Sequence, residues 1–71
     1  MSVYYKKYKD LNVKITEEGR VYFKDNLDWH REDGPALELT GGNCYWYYEG
    51  KLVNVSTQKE FESFLKLKAF I

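Results

Sequence analysis

Seventy-one residues make one domain at most, and a chain this short buries only about 60% of the surface its unfolded form exposes. Eleven Lys and Arg balance eleven Asp and Glu, a formal net charge of zero that argues against bulk electrostatic capture of nucleic acid. Cys44 is the sole cysteine, which excludes an internal disulfide, and with His30 it makes too few soft ligands for an ordinary zinc site.

Small scaffolds add a disulfide, a metal or a partner subunit to a thin core, so a homo-oligomer is the expected supplement. Seven Tyr, four Phe and two Trp supply large apolar area per residue. There is no apolar run long enough to span a membrane, and Met1–Lys7 lacks the apolar stretch of a secretory signal. A free cysteine with no signal makes the cytoplasm the expected compartment. No cofactor is expected.

Residues 1–10 are expected either to add an edge strand or to stay mobile. From there the chain reads as a β-meander over residues 11–55. Val13 and Ile15 alternate with Asn12, Lys14 and Thr16, the period-2 pattern of a half-buried strand. Glu17-Glu18-Gly19 turns the chain into a second strand, where Val21 and Phe23 alternate with Arg20, Tyr22 and Lys24. Asp25 to Asp28 reads as a turn, because Asp and Asn tolerate the left-handed region and bond their own backbone. Asp33-Gly34-Pro35 is a stop that no central strand contains. Leu37 and Leu39 flank Glu38 in a third strand, and Thr40-Gly41-Gly42 closes a hairpin. Asn43 to Tyr48 is a fourth strand, largely aromatic, and Lys51 to Val55 a fifth.

The period then changes. Thr57 and Glu60 have capping-box spacing, and Phe61, Phe64 and Leu65 lie on one helical face. A helix is predicted within 57–70, from about Gln58 to Lys68, ending in apolar Ala69-Phe70-Ile71 and packed on one face of the sheet. The fold class is therefore α+β: a small antiparallel meander of about five strands with one C-terminal helix, all in a single domain, 1–71.

Shifting the chain by 23 residues places Gly19 on Gly42, Tyr22 on Tyr45, Phe23 on Trp46, Leu27 on Gly50 and Trp29 on Leu52. A period of this size suggests meandering β units that cannot bury their faces alone. The connector of the first unit is His30-Arg31-Glu32-Asp33-Gly34-Pro35-Ala36, and the second unit carries Trp46-Tyr47-Tyr48-Glu49-Gly50-Lys51-Leu52. These residues resemble a family of phage, bacterial and large-virus proteins with tandem repeats of the form W-Y-x-N-G-K-x-H-R-x-D-G-P-A. The HR-x-DGPA core is complete and Asn26 stands four residues before His30, while Phe23 replaces the usual first aromatic and Leu27 the turn glycine. The resemblance covers about Gly19 to Val53, half the chain. It implies β-hairpin architecture and a non-enzymatic role. An accessory protein of phage type, inhibiting a host protein or sequestering a small anionic ligand such as a nucleotide, is the function that fits.

His30, Arg31 and Gly34 are the ligand-binding candidates, with Arg31 as a bidentate fork and the Gly34 amide as a donor. The competing expectation, which is preferred, is scaffold: Asp33 caps the turn, Arg31 pairs with Glu32 or Asp28, and His30 bonds a backbone carbonyl. Cys44 with His30 lacks a third group to orient the histidine, and a mid-strand cysteine facing inward acts as a small hydrophobe. Asp25, Asp28, Glu32 and Asp33 show no spacing that singles out an acid–base pair, so no catalytic residue is assigned.

If Val21 and Phe23 point inward with Trp46, then Tyr22, Tyr45 and Tyr47 point outward, joined by Tyr5, Tyr8 and Tyr4. Such a face is the expected interface. Lys6, Lys7 and Lys9 interleave with Tyr5 and Tyr8 as in a nucleotide or single-strand site, although lysine that blunts an edge strand is the preferred reading. The alternative to a binding protein is a homo-oligomeric building block with no separate ligand.

Overall fold

The computed structural model describes residues 2–69. Its β1 (Tyr4–Tyr8), β2 (Leu11–Thr16), β3 (Gly19–Phe23), β4 (Leu37–Leu39), β5 (Cys44–Tyr48) and β6 (Lys51–Val53) run antiparallel in chain order, followed by α1 (Gln58–Ala69). The strands number six rather than about five, because Tyr4–Tyr8 pairs with β2 from Tyr4↔Ile15 to Tyr8↔Leu11 and forms one edge of the sheet. Strands β5 and β6 are shorter than expected, starting at Cys44 and ending at Val53. Phe70 and Ile71, expected at the helix end, lie outside the described residues.

The register fixes which side chains share a face. Val13 stands opposite Tyr22, and Glu38 opposite Cys44, on the face that carries the core. Leu11, Val13 and Tyr22 form a buried cluster flanked by Tyr8 and Ile15. Trp46, Ala36 and Phe61 are buried as well. On the other face a single row crosses five strands: Tyr5, Lys14, Val21, Leu37 and Tyr45.

Two expectations fail here for one reason. Tyr22 is 4% exposed, not outward, while Val21 and Phe23 sit half-buried on the opposite face. Tyr45 and Tyr47 do lie opposite Trp46, as the alternation requires. The 23-residue shift put Tyr22 with Tyr45 because it assumed equal turns. In fact Lys24 and Asp28 close a three-residue loop, whereas Tyr48↔Lys51 closes a two-residue one. The two hairpins are out of phase by one residue, and one residue inverts a strand's faces.

Helix α1 begins at a cap of the expected kind. The Glu60 amide donates to Thr57 Oγ1 at 3.2 Å, and the Glu60 carboxylate accepts from the Ser56 amide at 2.9 Å, one residue before the expected return. Phe61 is fully buried, and Phe64 meets the Tyr48 ring edge-on at 5.8 Å between centroids. Gln58 ties the first turn to the sheet by accepting from the Trp46 indole at 2.7 Å. Among the described residues no helix is long and apolar enough to cross a membrane.

Candidate functional site

The connector His30–Ala36 leaves and rejoins the sheet at one residue. The Tyr22 amide donates to Ala36 O at 2.8 Å, and the Tyr22 carbonyl accepts from the His30 amide at 3.0 Å. Trp29 pairs with Phe23, the Trp29 carbonyl accepts from the Gly50 amide at 2.8 Å, and the Arg31 amide reaches Tyr47 O at 3.4 Å. Trp29–Arg31 and Ala36–Leu39 thus fill one lane between β3 and β5. Glu32–Pro35 bulges from it, which is how a proline, a glycine and two acidic residues are accommodated beside a central lane.

Arg31 folds back under this bulge. Its side chain is 13% exposed, with Nε donating to Asp33 at 3.0 Å, Nη1 donating to Pro35 O at 3.3 Å, and Glu38 3.5 Å from Nη1. Its guanidinium carbon lies 4.0 Å from the Tyr22 centroid and 5.2 Å from that of Tyr8. The partners are therefore Asp33 and Glu38, not Glu32 or Asp28. Gly34 supplies the space: a Cβ there would stand 2.7 Å from the guanidinium carbon. Its smallness serves Arg31.

Asp33 collects three donors: Tyr8 Oη at 2.6 Å, Lys9 Nζ at 2.9 Å and Arg31 Nε. These hold its carboxyl well below the usual carboxylate range, the Tyr8 hydroxyl first and Lys9 next, against an opposing effect of burial. Tyr8, expected on the outer surface, is half-buried and packs edge-on against Tyr22 at 5.5 Å.

His30 is buried between the Tyr48 ring, 4.9 Å away, and the β5–β6 turn. Its Nδ1 accepts from the Glu49 amide at 2.9 Å, so Nε2 carries the proton that reaches Glu32 at 3.0 Å. The histidine thus accepts from a backbone amide instead of bonding a carbonyl. Cys44 is exposed, contrary to expectation, and opens β5 at the end away from the Tyr48 that His30 touches. Position in a strand suggested burial; the strand's first residue escapes it.

The open face offers a different site. A groove of about 740 Å³ runs over β1–β3, lined by Tyr5, Lys7, Asn12, Lys14, Phe23 and Trp29 among others. Tyr5 is 66% exposed and Trp29 is 37% exposed. Lys14 has no ion-pair partner among the described residues. Asp25, the one carboxylate among the described residues that line the groove, is already engaged by Asn12 at 2.9 Å and Lys7 at 3.4 Å. Those contacts, Asn12 first, lower its pKa.

Of the sequence candidates, Tyr5 lines this groove, Tyr45 and Tyr47 lie farther along the same face, and Tyr22 and Tyr8 lie beneath Arg31. His30, Arg31 and Gly34 are close together, yet turned into the fold. Sequence reasoning missed Trp29, Lys14 and Asn12 as a group, because only the register brings them together. It also missed Gln58, whose amide donates to Glu32 O at 3.1 Å and pins the bulge to the helix. Compared with protein-family models, curated proteins and solved structures, the chain matches none.

Proposed function

We propose that this chain is a non-enzymatic binding module that takes a small anionic ligand bearing a flat ring, of the nucleotide class, in the groove on its open sheet face. The observation that carries the reading is the pairing of exposed Tyr5 and Trp29 with Lys14, a cation with no carboxylate partner among the described residues. Aromatic faces stack on a base, and the lysine ammonium donates to its phosphate oxygens. Lys7 is bridged to Asp25, so it contributes less net charge than Lys14.

The His30–Gly34 loop supports the same conclusion from the other side. Arg31 has its donors on Asp33 and Pro35 O with Glu38 beside it, so a ligand anion would have to displace two carboxylates. A connector of this kind is scaffold, which suits the resemblance to tandem HR-x-DGPA units. Sequestration without turnover is the accessory role this reading assigns.

Amide NMR with a nucleoside monophosphate at low salt tests it. Saturable shifts are expected at Tyr5, Lys14 and Phe23 and at the Trp29 indole, weakened about tenfold by Lys14→Ala through loss of one charged contact. The nucleoside lacking phosphate should bind more weakly still. No shifts at millimolar ligand, or shifts confined to His30–Gly34, would sink the proposal.

A further inference from the structure

We propose that the groove selects guanine among the bases, with Asp25 and Asn12 accepting from the ring N1–H and the exocyclic amino group while Lys14 holds the phosphate. This rests on the nucleotide reading above and adds to it the identity of the base.

The groove has two unlike ends. Two cross-strand rows floor it: Tyr5, Lys14 and Val21 in one, and Lys7, Asn12 and Phe23 in the other, with Trp29 bridged to Phe23. Lys14 and Asn12 stand two residues apart on β2, about 7 Å at strand spacing. The Asn12 amide holds Asp25, which follows β3. Lys7 is bridged to that carboxylate, so the Asn12 end carries no surplus positive charge, whereas Lys14 keeps its own. A carboxylate repels any ligand that is anionic throughout. It suits one with phosphate at one end and N–H donors at the other, which is the layout of a nucleotide.

The way Asp25 is held decides what it can accept. Asn12 Nδ2 and Lys7 Nζ donate to the same oxygen, Oδ1, at 2.9 Å and 3.4 Å. Asp25 Oδ2 and Asn12 Oδ1 receive no hydrogen bond among the described residues. The contacts on Oδ1, Asn12 first and Lys7 next, favour the ionised carboxyl. Asp25 is thus an oriented acceptor, and its side chain is 84% exposed to an incoming ligand.

The pattern of acceptors discriminates among bases. Guanine presents two adjoining donors, N1–H and the amino group. In adenine and cytosine the amino group stands beside a ring-nitrogen lone pair, and in uracil the N–H lies between two carbonyls. Each of these sets an acceptor against an acceptor, while guanine does not. Phe23 and Trp29 lie in the Asn12 row, so a base resting on their rings turns its edge toward Asp25.

Amide NMR titrations of the full chain with guanosine, inosine and adenosine monophosphates at low salt read this directly. Guanosine monophosphate should bind about tenfold more tightly than adenosine monophosphate. Inosine monophosphate, which lacks the amino group, should fall between them. Asp25→Asn should abolish the preference for guanosine over adenosine monophosphate. The substitution also releases Lys7, which strengthens both ligands alike, so the ratio is the readout. Unchanged amide positions away from the groove check that the variant is folded. Equal binding of all three by the parent chain would overturn this inference and leave the nucleotide reading standing. A guanosine preference that survives Asp25→Asn would overturn it as well. Absence of binding by any nucleotide would sink both.

Discussion

The guanidinium carbon of Arg31 lies 4.0 Å from the centroid of the Tyr22 ring, so a cation roofs the buried tyrosine of β3. A charge this enclosed is tolerated because Asp33, Glu38 and the Pro35 carbonyl surround it. Lysine has neither the planar fork nor the flat face to replace it. Arg31→Lys should cost about 2–3 kcal/mol, combining a lost stack with a lost charged hydrogen bond. Urea unfolding followed by circular dichroism checks this; a midpoint unchanged from the parent would refute the roof's importance.

Gly34→Ala probes the same roof from outside. Its methyl would fall within 2.7 Å of the Arg31 guanidinium carbon, so the arginine must shift off Tyr22 or the bulge must open. The expected loss is about 1–3 kcal/mol, the range for overpacking. Were Gly34 a ligand donor instead, alanine would leave stability nearly intact.

Asp33 makes the fold acid-sensitive. Its carboxyl has a lower pKa folded than unfolded, so its contribution is complete above its ordinary value of 3.8 and is lost as pH falls below that toward the folded value. Unfolding free energy should therefore drop between about pH 4 and pH 2, and Asp33→Asn should flatten that limb. Tyr8→Phe should shrink it too, because the Tyr8 hydroxyl is the strongest influence on the carboxylate. Urea titrations across that range would show an unaltered slope in Asp33→Asn if the assignment is wrong.

His30 should carry its neutral-ring proton on Nε2, since Nδ1 accepts from the Glu49 amide. Long-range nitrogen NMR distinguishes the two tautomers. His30→Phe keeps the ring against Tyr48 and removes the acceptor, which should cost about 1–3 kcal/mol. Observation of a proton on Nδ1 at neutral pH would contradict the geometry.

Leu27 holds φ at 74° and is 72% exposed, an uncomfortable backbone for a side chain that stands mostly in solvent at the rim of the groove. Leu27→Gly should be neutral to stabilising by up to about 1 kcal/mol, the release of left-handed strain offsetting glycine's entropy. Thermal unfolding measures it, and a lower midpoint would show that Leu27 makes contacts of its own.

Much of the fold was legible because local rules dominate it. Val13 and Ile15 alternate cleanly, Thr57 and Glu60 have cap spacing, and Gly42 sits at φ 98° where a hairpin needs it. The face of β3 was not legible, since Val21, Tyr22 and Phe23 are all apolar enough for either side. Its orientation is decided by Val13 opposite it and by Arg31 above it, both remote in sequence. The loop was legible as a break between strands, but its partners were not: Glu38 and Tyr8 come from strands on either side of β3. The groove was hidden further still. Tyr5, Lys14 and Trp29 belong to separate segments, and no short motif links them.

The meander order bears on how the chain folds. Each strand pairs with its immediate predecessor, so nearly every ladder closes a short loop, the situation that favours fast folding. Asp33 makes contacts of longer range: its bond to the Tyr8 hydroxyl spans 25 residues and to Lys9 spans 24. Docking of the first hairpin onto the connector must wait for both β3 and the bulge to exist. That makes β1, an edge strand with mostly exposed side chains, a late element to dock and an early one to open. In hydrogen exchange its amides should trade with solvent before those of β3 and β5.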